Sequence, residues 1–165
     1  MGKVIFDLPE LHAQVLTFLV SRIPPSDSLW ALTGSASLRL QGVDVPVNDL
    51  DLQTDGKIVL LLENELAEFM KDPVHLWETE HTRSYHGQAE IFGLKVELLG
   101  DMRHRLRDGT WSAPLDFESV LVWVEWRGQK IAVLSLEHEA AAYEKMGRIQ
   151  KAELIRSATV RNTNV

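Results

Sequence analysis

Two aspartates one residue apart, Asp49 and Asp51, stand near the end of the stretch TGSASLRLQGVDVPVNDLDLQTD, which runs from Thr33 to Asp55. On a strand, side chains two apart leave the same face, so both carboxylates are held side by side. Like charges so placed repel and raise each other's pKa unless a cation lies between them. A hard divalent ion, Mg²⁺ or Mn²⁺, accepts oxygen ligands and keeps positions open for phosphate oxygens. The alternative leaves both acids as surface charges on an exposed sheet edge. Upstream, Gly34-Ser35 follows the apolar run LWALT and opens a short helical stretch near Ala36–Gln41. Backbone N–H groups at such a turn make an anion site. Ser35 either caps that helix or lends its hydroxyl to a phosphate. Arg39 lies four residues on, on the same helical face, and either contacts a bound anion or is solvated.

A third acid, Glu97, interrupts LKVELL. On an alternating strand it faces solvent, with Lys95 and Glu97 pointing oppositely, or it faces the aspartate pair. Two metal ions clamped by three carboxylates would suit in-line displacement at phosphorus.

These residues need elements to position them. Leu8, Leu11, Val15, Leu16, Leu19 and Ile23 recur at helical spacing, and Pro24-Pro25 ends that helix. Leu29–Thr33 reads as a short strand and Asp49–Gln53 as a second, with Gly42 and Pro46 in the loop between. A helix is expected over Lys57–Met70. HLWETE, GQAEIF and LKVELL then read as strands, with Gly93 at a tight hairpin and a loop over Arg103–Pro114. VLVWVEW and Lys130–Leu134 flank RGQ as another hairpin, packed by Trp123 and Trp126. Helices follow over Leu136–Met146 and Arg148–Ser157, broken at Gly147, and the last residues, ATVRNTNV, are expected to fray. The order implies one mixed α+β domain over residues 1–165.

Composition excludes several function classes. The chain of 165 residues has 45% apolar and 25% charged content, ordinary for a globular domain, and no cysteine for a disulfide or thiolate site. MGKVIFDLPELHAQ lacks the layout of a signal peptide, and no apolar stretch reaches the length of a membrane span. A cytoplasmic protein without membrane partners is the expectation. Asp51-x-Gln53-x-Asp55-Gly56 opens like a calcium loop, but its twelfth position is Leu62 rather than Glu. His75, His81, His86, His104 and His138 lack metal-site spacing, and the tryptophans form no stripe for stacking bases.

LTGSASLRLQGVDVPVNDLDLQTD with the later VEL resembles the nucleotidyltransferase superfamily that shares the DNA polymerase β-like core. That superfamily shows an apolar-Gly-Ser turn, an Asp-x-Asp strand and a third acid on a later strand. Gly34 and Ser35 fill the turn, and thirteen residues separate Ser35 from Asp49, slightly beyond the commonest gap. Asp49 and Asp51 match the metal-binding pair, and Glu97 the third acid. The tail YEKMGRIQKAELIR looks like the closing helix of the small antibiotic-type members, where Lys151 would contact nucleotide phosphates. Ala152 stands where Asp is usual. The resemblance implies a mixed sheet flanked by helices and Mg²⁺-dependent transfer of a nucleoside monophosphate from a nucleoside triphosphate to an acceptor hydroxyl on an unidentified small molecule or protein. Glu97 would complete the site and serve as general base. A catalytically silent nucleotide-binding or regulatory partner domain is the alternative on the same scaffold.

The net charge of −7 and the lack of a basic stripe make nucleic acid an unfavourable partner. Fluorescence anisotropy with labelled RNA and DNA at physiological salt is expected to show no sub-micromolar binding. A tight complex with a steep salt slope would overturn this.

Overall fold

The computed structural model describes residues 6–25 and 29–163, with side chains to Thr159. Helix α1 spans Glu10–Arg22, with Pro9 before it and Glu10 in its first turn. It buries Ala13, Val15, Leu16 and Leu19, whereas Leu11, expected on that stripe, is exposed. Strand β1 (Ala31–Thr33) leads directly into α2 (Gly34–Leu40), and β2 covers Leu50–Thr54. The second strand therefore starts one residue after Asp49, which sits at its entry.

Helix α3 covers only Ile58–Glu65, shorter than the expected Lys57–Met70. Asp55 fixes its start by accepting from the backbone N–H groups of Lys57 and Ile58 at 2.9 and 2.7 Å. A short 3₁₀ turn follows, and from Met70 the chain is already in β3 (Met70–Glu78), paired to β4 (Thr82–Ile91). The chain leaves helical geometry before Met70 and pairs with β4 from that residue on. Pro73 is tolerated because β3 is an edge strand with two register shifts.

Strand β5 (Leu94–His104) runs five residues past the expected end and takes in the start of the predicted loop. Leu94, Val96, Leu98 and Gly100 alternate inward along it. The hairpin β6 (Leu121–Trp126) and β7 (Gln129–Leu134) forms as expected, with Trp126 buried and Trp123 partly exposed. Helices α4 (Leu136–Lys145) and α5 (Ile149–Thr163) close the chain, separated at Gly147, whose φ is +80°. Backbone described to Thr163 is helical, so the tail expected to fray extends α5; Asn164 and Val165 lie outside the described residues.

One mixed sheet carries all seven described strands in the order β3-β4-β5-β2-β1-β7-β6. Strand β2 runs antiparallel to β1 and parallel to β5, and β1 runs parallel to β7. The main core joins α1 and α3 to one sheet face through Leu16, Leu19, Val59, Leu62, Leu52 and Leu98. A second cluster packs α2 against α4 and α5 through Leu38, Tyr143, Ala152 and Ile155. None of the described helices is long and apolar enough to cross a membrane.

Gly100 marks a close approach of α3 to the sheet. A Cβ there would lie 2.7 Å from Val59 Cγ1 and 3.0 Å from the Asp55 carbonyl oxygen. Gly100→Ala is expected to cost about 1–3 kcal/mol of stability by overpacking. Urea unfolding of the two proteins measures this, and an unchanged midpoint would contradict the packing.

Candidate active site

The sheet register assembles the site. Thr33 on β1 lies opposite Asp51 on β2, and Asp51 lies opposite Glu97 on β5. Gln88 on β4 continues the row beyond Glu97. Directly paired residues share a face, so the row joins Asp51 and Glu97 on the face turned away from α1 and α3. Asp49, two residues before Asp51, joins them. The two candidate acids that the sequence separates by 45 residues are thus neighbours.

Asp51 is the innermost of the three. Gly34, at φ +70°, presents no side chain to it: a Cβ there would stand 2.5 Å from Asp51 Oδ2. Only glycine tolerates both that backbone conformation and that proximity. Asp51 Oδ1 is buried with no hydrogen-bond partner. Burial, with the charges of Glu97 and Asp49 behind it, pushes the Asp51 carboxyl up to about 8. Glu97 moves the other way: His86 first, then Lys95, hold it well below the usual carboxylate range. In the metal-free site Asp51 keeps the proton and Glu97 the charge.

Lys95 and Glu97 do not point oppositely. Two residues apart on β5, they share a face, and the Lys95 ammonium lies 2.8 Å from Glu97 Oε1 and 3.5 Å from Asp49 Oδ2. The imidazole Nε2 of His86 is 3.7 Å from the same Glu97 oxygen. Among the described residues no three His, Asp or Glu side chains form a group able to hold a metal ion. A lysine stands between two of the three expected carboxylates, Asp49 and Glu97. Asp51, with an unpartnered buried oxygen, and Asp49 beside it have the chemistry of a divalent-ion pair.

The Gly-Ser turn is placed as expected but bonded otherwise. Ser35 does not cap α2; its hydroxyl oxygen accepts from the Asn48 backbone N–H at 3.0 Å and fixes the approach to Asp49. The Gly34 N–H donates to Glu139 Oε1 at 3.3 Å, and the Thr33 hydroxyl donates to the same oxygen at 2.5 Å. Glu139 is buried on α4, and burial pushes its carboxyl up to about 7. Arg39 is directed away from any anion role: it donates to the Asp7 and Val45 carbonyls, pairs with Asp44 and lies over Phe6. It ties the N-terminal segment to α2.

Lys151 does reach the neighbourhood. Its ammonium and the Arg148 guanidinium lie over the Tyr143 ring at 4.7 and 5.0 Å. Burial and then Arg148 lower its pKa, whereas Glu139 and Asp51 raise it. Tyr143, buried and beside Glu139, is pushed up to about 12. A cavity of about 150 Å³ opens here between Gly34, Asp51, Glu139, Tyr143, His104 and His138. Burial lowers both histidines, His104 to about 4, so this wall is uncharged at neutral pH.

Sequence reasoning missed Glu139, Tyr143, Lys95 and His86. Only Lys95 left a usable signal, since a two-residue period places it beside Glu97.

The fold and the site have counterparts among known proteins. A protein of Thermotoga maritima assigned as a nucleotidyltransferase has a crystal structure matching with a TM-score of 0.83 and 40% identity, over 95% of this chain and 98% of that one. The lincomycin-bound lincosamide antibiotic adenylyltransferase LnuA matches with a TM-score of 0.54 over 90% of this chain and 99% of that one; at 13% identity it shares the fold. Among curated proteins, none matches the chain. The profile of the aminoglycoside-2''-adenylyltransferase family matches residues 15–156. With most of its length matched and its acids in register on the shared fold, the chain belongs to that family, within the nucleotidyltransferase superfamily.

Proposed function

We propose that this protein transfers a nucleoside monophosphate from a nucleoside triphosphate to a hydroxyl of a small-molecule acceptor, with Mg²⁺ or Mn²⁺. The observation that carries this reading is the burial of an unpartnered Asp51 oxygen beside a side-chain-free Gly34 and opposite Glu97. Asp49 and Asp51 would hold the divalent ion, which when bound neutralises charge and polarises the phosphoryl oxygen. Gly34 and Ser35 shape the turn against which the triphosphate lies, and Lys151 reaches its phosphates from α5. Arg39 has no part in this set, because its contacts are structural.

Glu97 supplies charge rather than basicity. Held low by His86 and Lys95, it stays ionised at neutral pH and is a poor proton acceptor for a hydroxyl. The family name and the lincomycin-bound fold relative support a hydroxylated antibiotic-like acceptor. Pyrophosphate release across a panel of triphosphates and hydroxylated small molecules tests the reaction. Nucleotide binding with no release for any acceptor would favour the silent binding domain.

Two expected outcomes follow from the site. Without metal, the native protein retains a proton on Asp51 up to about pH 8, whereas the unfolded chain releases it near 3.8. Glu139 behaves alike between 4.5 and about 7. The native state then binds more protons at these two groups, so metal-free stability falls as pH rises from 6.5 to 8; below 6.5 the lowered His104 and His138 act against the decline. Glu97 contributes the opposite slope, but only below its ordinary value of 4.5. Asp51→Asn should flatten the decline and match or exceed wild type at pH 8 in chelator. It should also abolish the shift of about 2.7 kcal/mol expected for wild type at a hundred times Kd of metal-triphosphate. Denaturation series across pH check both; a variant less stable than wild type with its ligand response intact would make Asp51 structural.

Gly34→Ala tests the turn. Its Cβ would displace the Asp51 carboxylate, and misplacement on that scale costs about a hundredfold in turnover. Pyrophosphate release near the wild-type rate would separate the turn from the chemistry.

A further inference from the structure

The metal-free site already contains a positive charge. Lys95 extends from the strand that carries Glu97, and the β2–β5 register, with Leu50 opposite Val96, sets it beside Asp49. Its ammonium contacts Glu97 at 2.8 Å and Asp49 at 3.5 Å. It touches the two outer acids and leaves the inner one, Asp51, with an oxygen that has no partner. An ammonium is a compact charge with three donors, so one lysine can bridge two carboxylates and still present an N–H to a third group. The Lys95 side chain is 40% exposed, so that third group can arrive from solvent.

Three carboxylates around a phosphoryl-transfer centre suit two metal ions, one on the leaving side and one on the attacking oxygen. Here the position between Asp49 and Glu97 is taken by the chain itself. We infer that the site works with a single divalent ion, held by Asp49 and Asp51, and that the Lys95 ammonium supplies the second positive charge beside Glu97. The inference rests on the nucleotidyltransferase reading above. Lys95 is then the group that meets the acceptor hydroxyl. The acceptor oxygen bonds to the α-phosphorus, the bond to the bridging oxygen of pyrophosphate breaks, and the hydroxyl proton passes to solvent. Lys95 keeps its own protons throughout and offsets the charge of Glu97 while the attacking oxygen approaches.

The test counts metal ions. Each protein is saturated with a nucleoside triphosphate analogue whose α–β bridging oxygen is replaced by methylene, then titrated with Mn²⁺ followed by electron paramagnetic resonance. Wild type and Lys95→Arg are expected to take one Mn²⁺ per complex. Lys95→Met, which frees Asp49 and Glu97, is expected to take two. Thermal melts of the unliganded variants check that each stays folded; Lys95→Met, which leaves Glu97 and Asp49 without their cation, is expected to melt below Lys95→Arg. Two ions in wild type, or one in Lys95→Met, would overturn the assignment of Lys95 alone. An analogue that with Mn²⁺ leaves the wild-type melting temperature unmoved would overturn the nucleotidyltransferase reading and this inference together, and the two failures are thereby told apart.

Discussion

Burying one carboxylate among others is the constraint on which this structure turns. Asp51 sits at the centre of the sheet, with β1 on one side and β5 on the other, and Glu97 opposite it. In water such a group would ionise freely; here solvation is lost and like charges surround it. The fold tolerates this because the surroundings leave room and supply compensation on the outer side only. Gly34 withdraws its side chain, and Lys95 neutralises Glu97, with the His86 imidazole beside it. The inner oxygen of Asp51 is left without a bond. A protein built for stability alone would not leave a buried acceptor unmatched.

The C-terminal helices give the same region its second wall. Helix α4 delivers Glu139 to the Thr33 hydroxyl and the Gly34 N–H, so the backbone donor of the turn is occupied by a carboxyl of the protein's own. Behind it, two cations, Arg148 and Lys151, lie close enough to the Tyr143 ring for each to interact with it. Lys151 on α5 and Arg148 just before it thus bring positive charge near the acids Asp51 and Glu139. The cluster that packs α2 to α4 and α5 also sets the distance between the two charge types.

Much of this was legible in the residue order, and the misreadings have physical causes. The Asp-x-Asp spacing and the Gly-Ser turn depend on local periodicity, so Asp49, Asp51 and Gly34 could be grouped before any coordinates; Glu97, whose strand face the sequence left open, joined them through the family resemblance. The end of β5 was misjudged because the segment from Arg103 is polar and turn-rich; in the fold the strand passes Gly100, where Val59 touches it, and runs on to His104. Helix α3 was overextended because ENELAEFM favours helix locally, whereas the chain turns through Ala67–Phe69 and enters β3 at Met70. Ser35 and Arg39 were correctly placed near the turn, but the partners of a hydroxyl or a guanidinium depend on the loop at Asn48 and the segment at Asp7. Glu139 lies more than a hundred residues from Gly34, and nothing in LEHEAAAYEK sets it apart from a surface helix acid.

The parallel pairing of β1 with β7 has a consequence for how the protein is made. β1 occupies residues 31–33, yet Leu32 finds its parallel neighbour at Val133, and the Gly34 turn finds its carboxyl partner 105 residues downstream. Contacts of such sequence separation form late and slowly. On the ribosome, β1 to β5 can emerge and pair while the flank of β1 that will receive β7 stays bare. The turn that defines the chemistry is then among the first structures synthesised and the last completed. A chain interrupted before residue 133 would carry all three acids and still lack the wall that closes around them. Such a fragment exposes an unpaired, apolar strand flank, the kind of surface that recruits chaperones or aggregates.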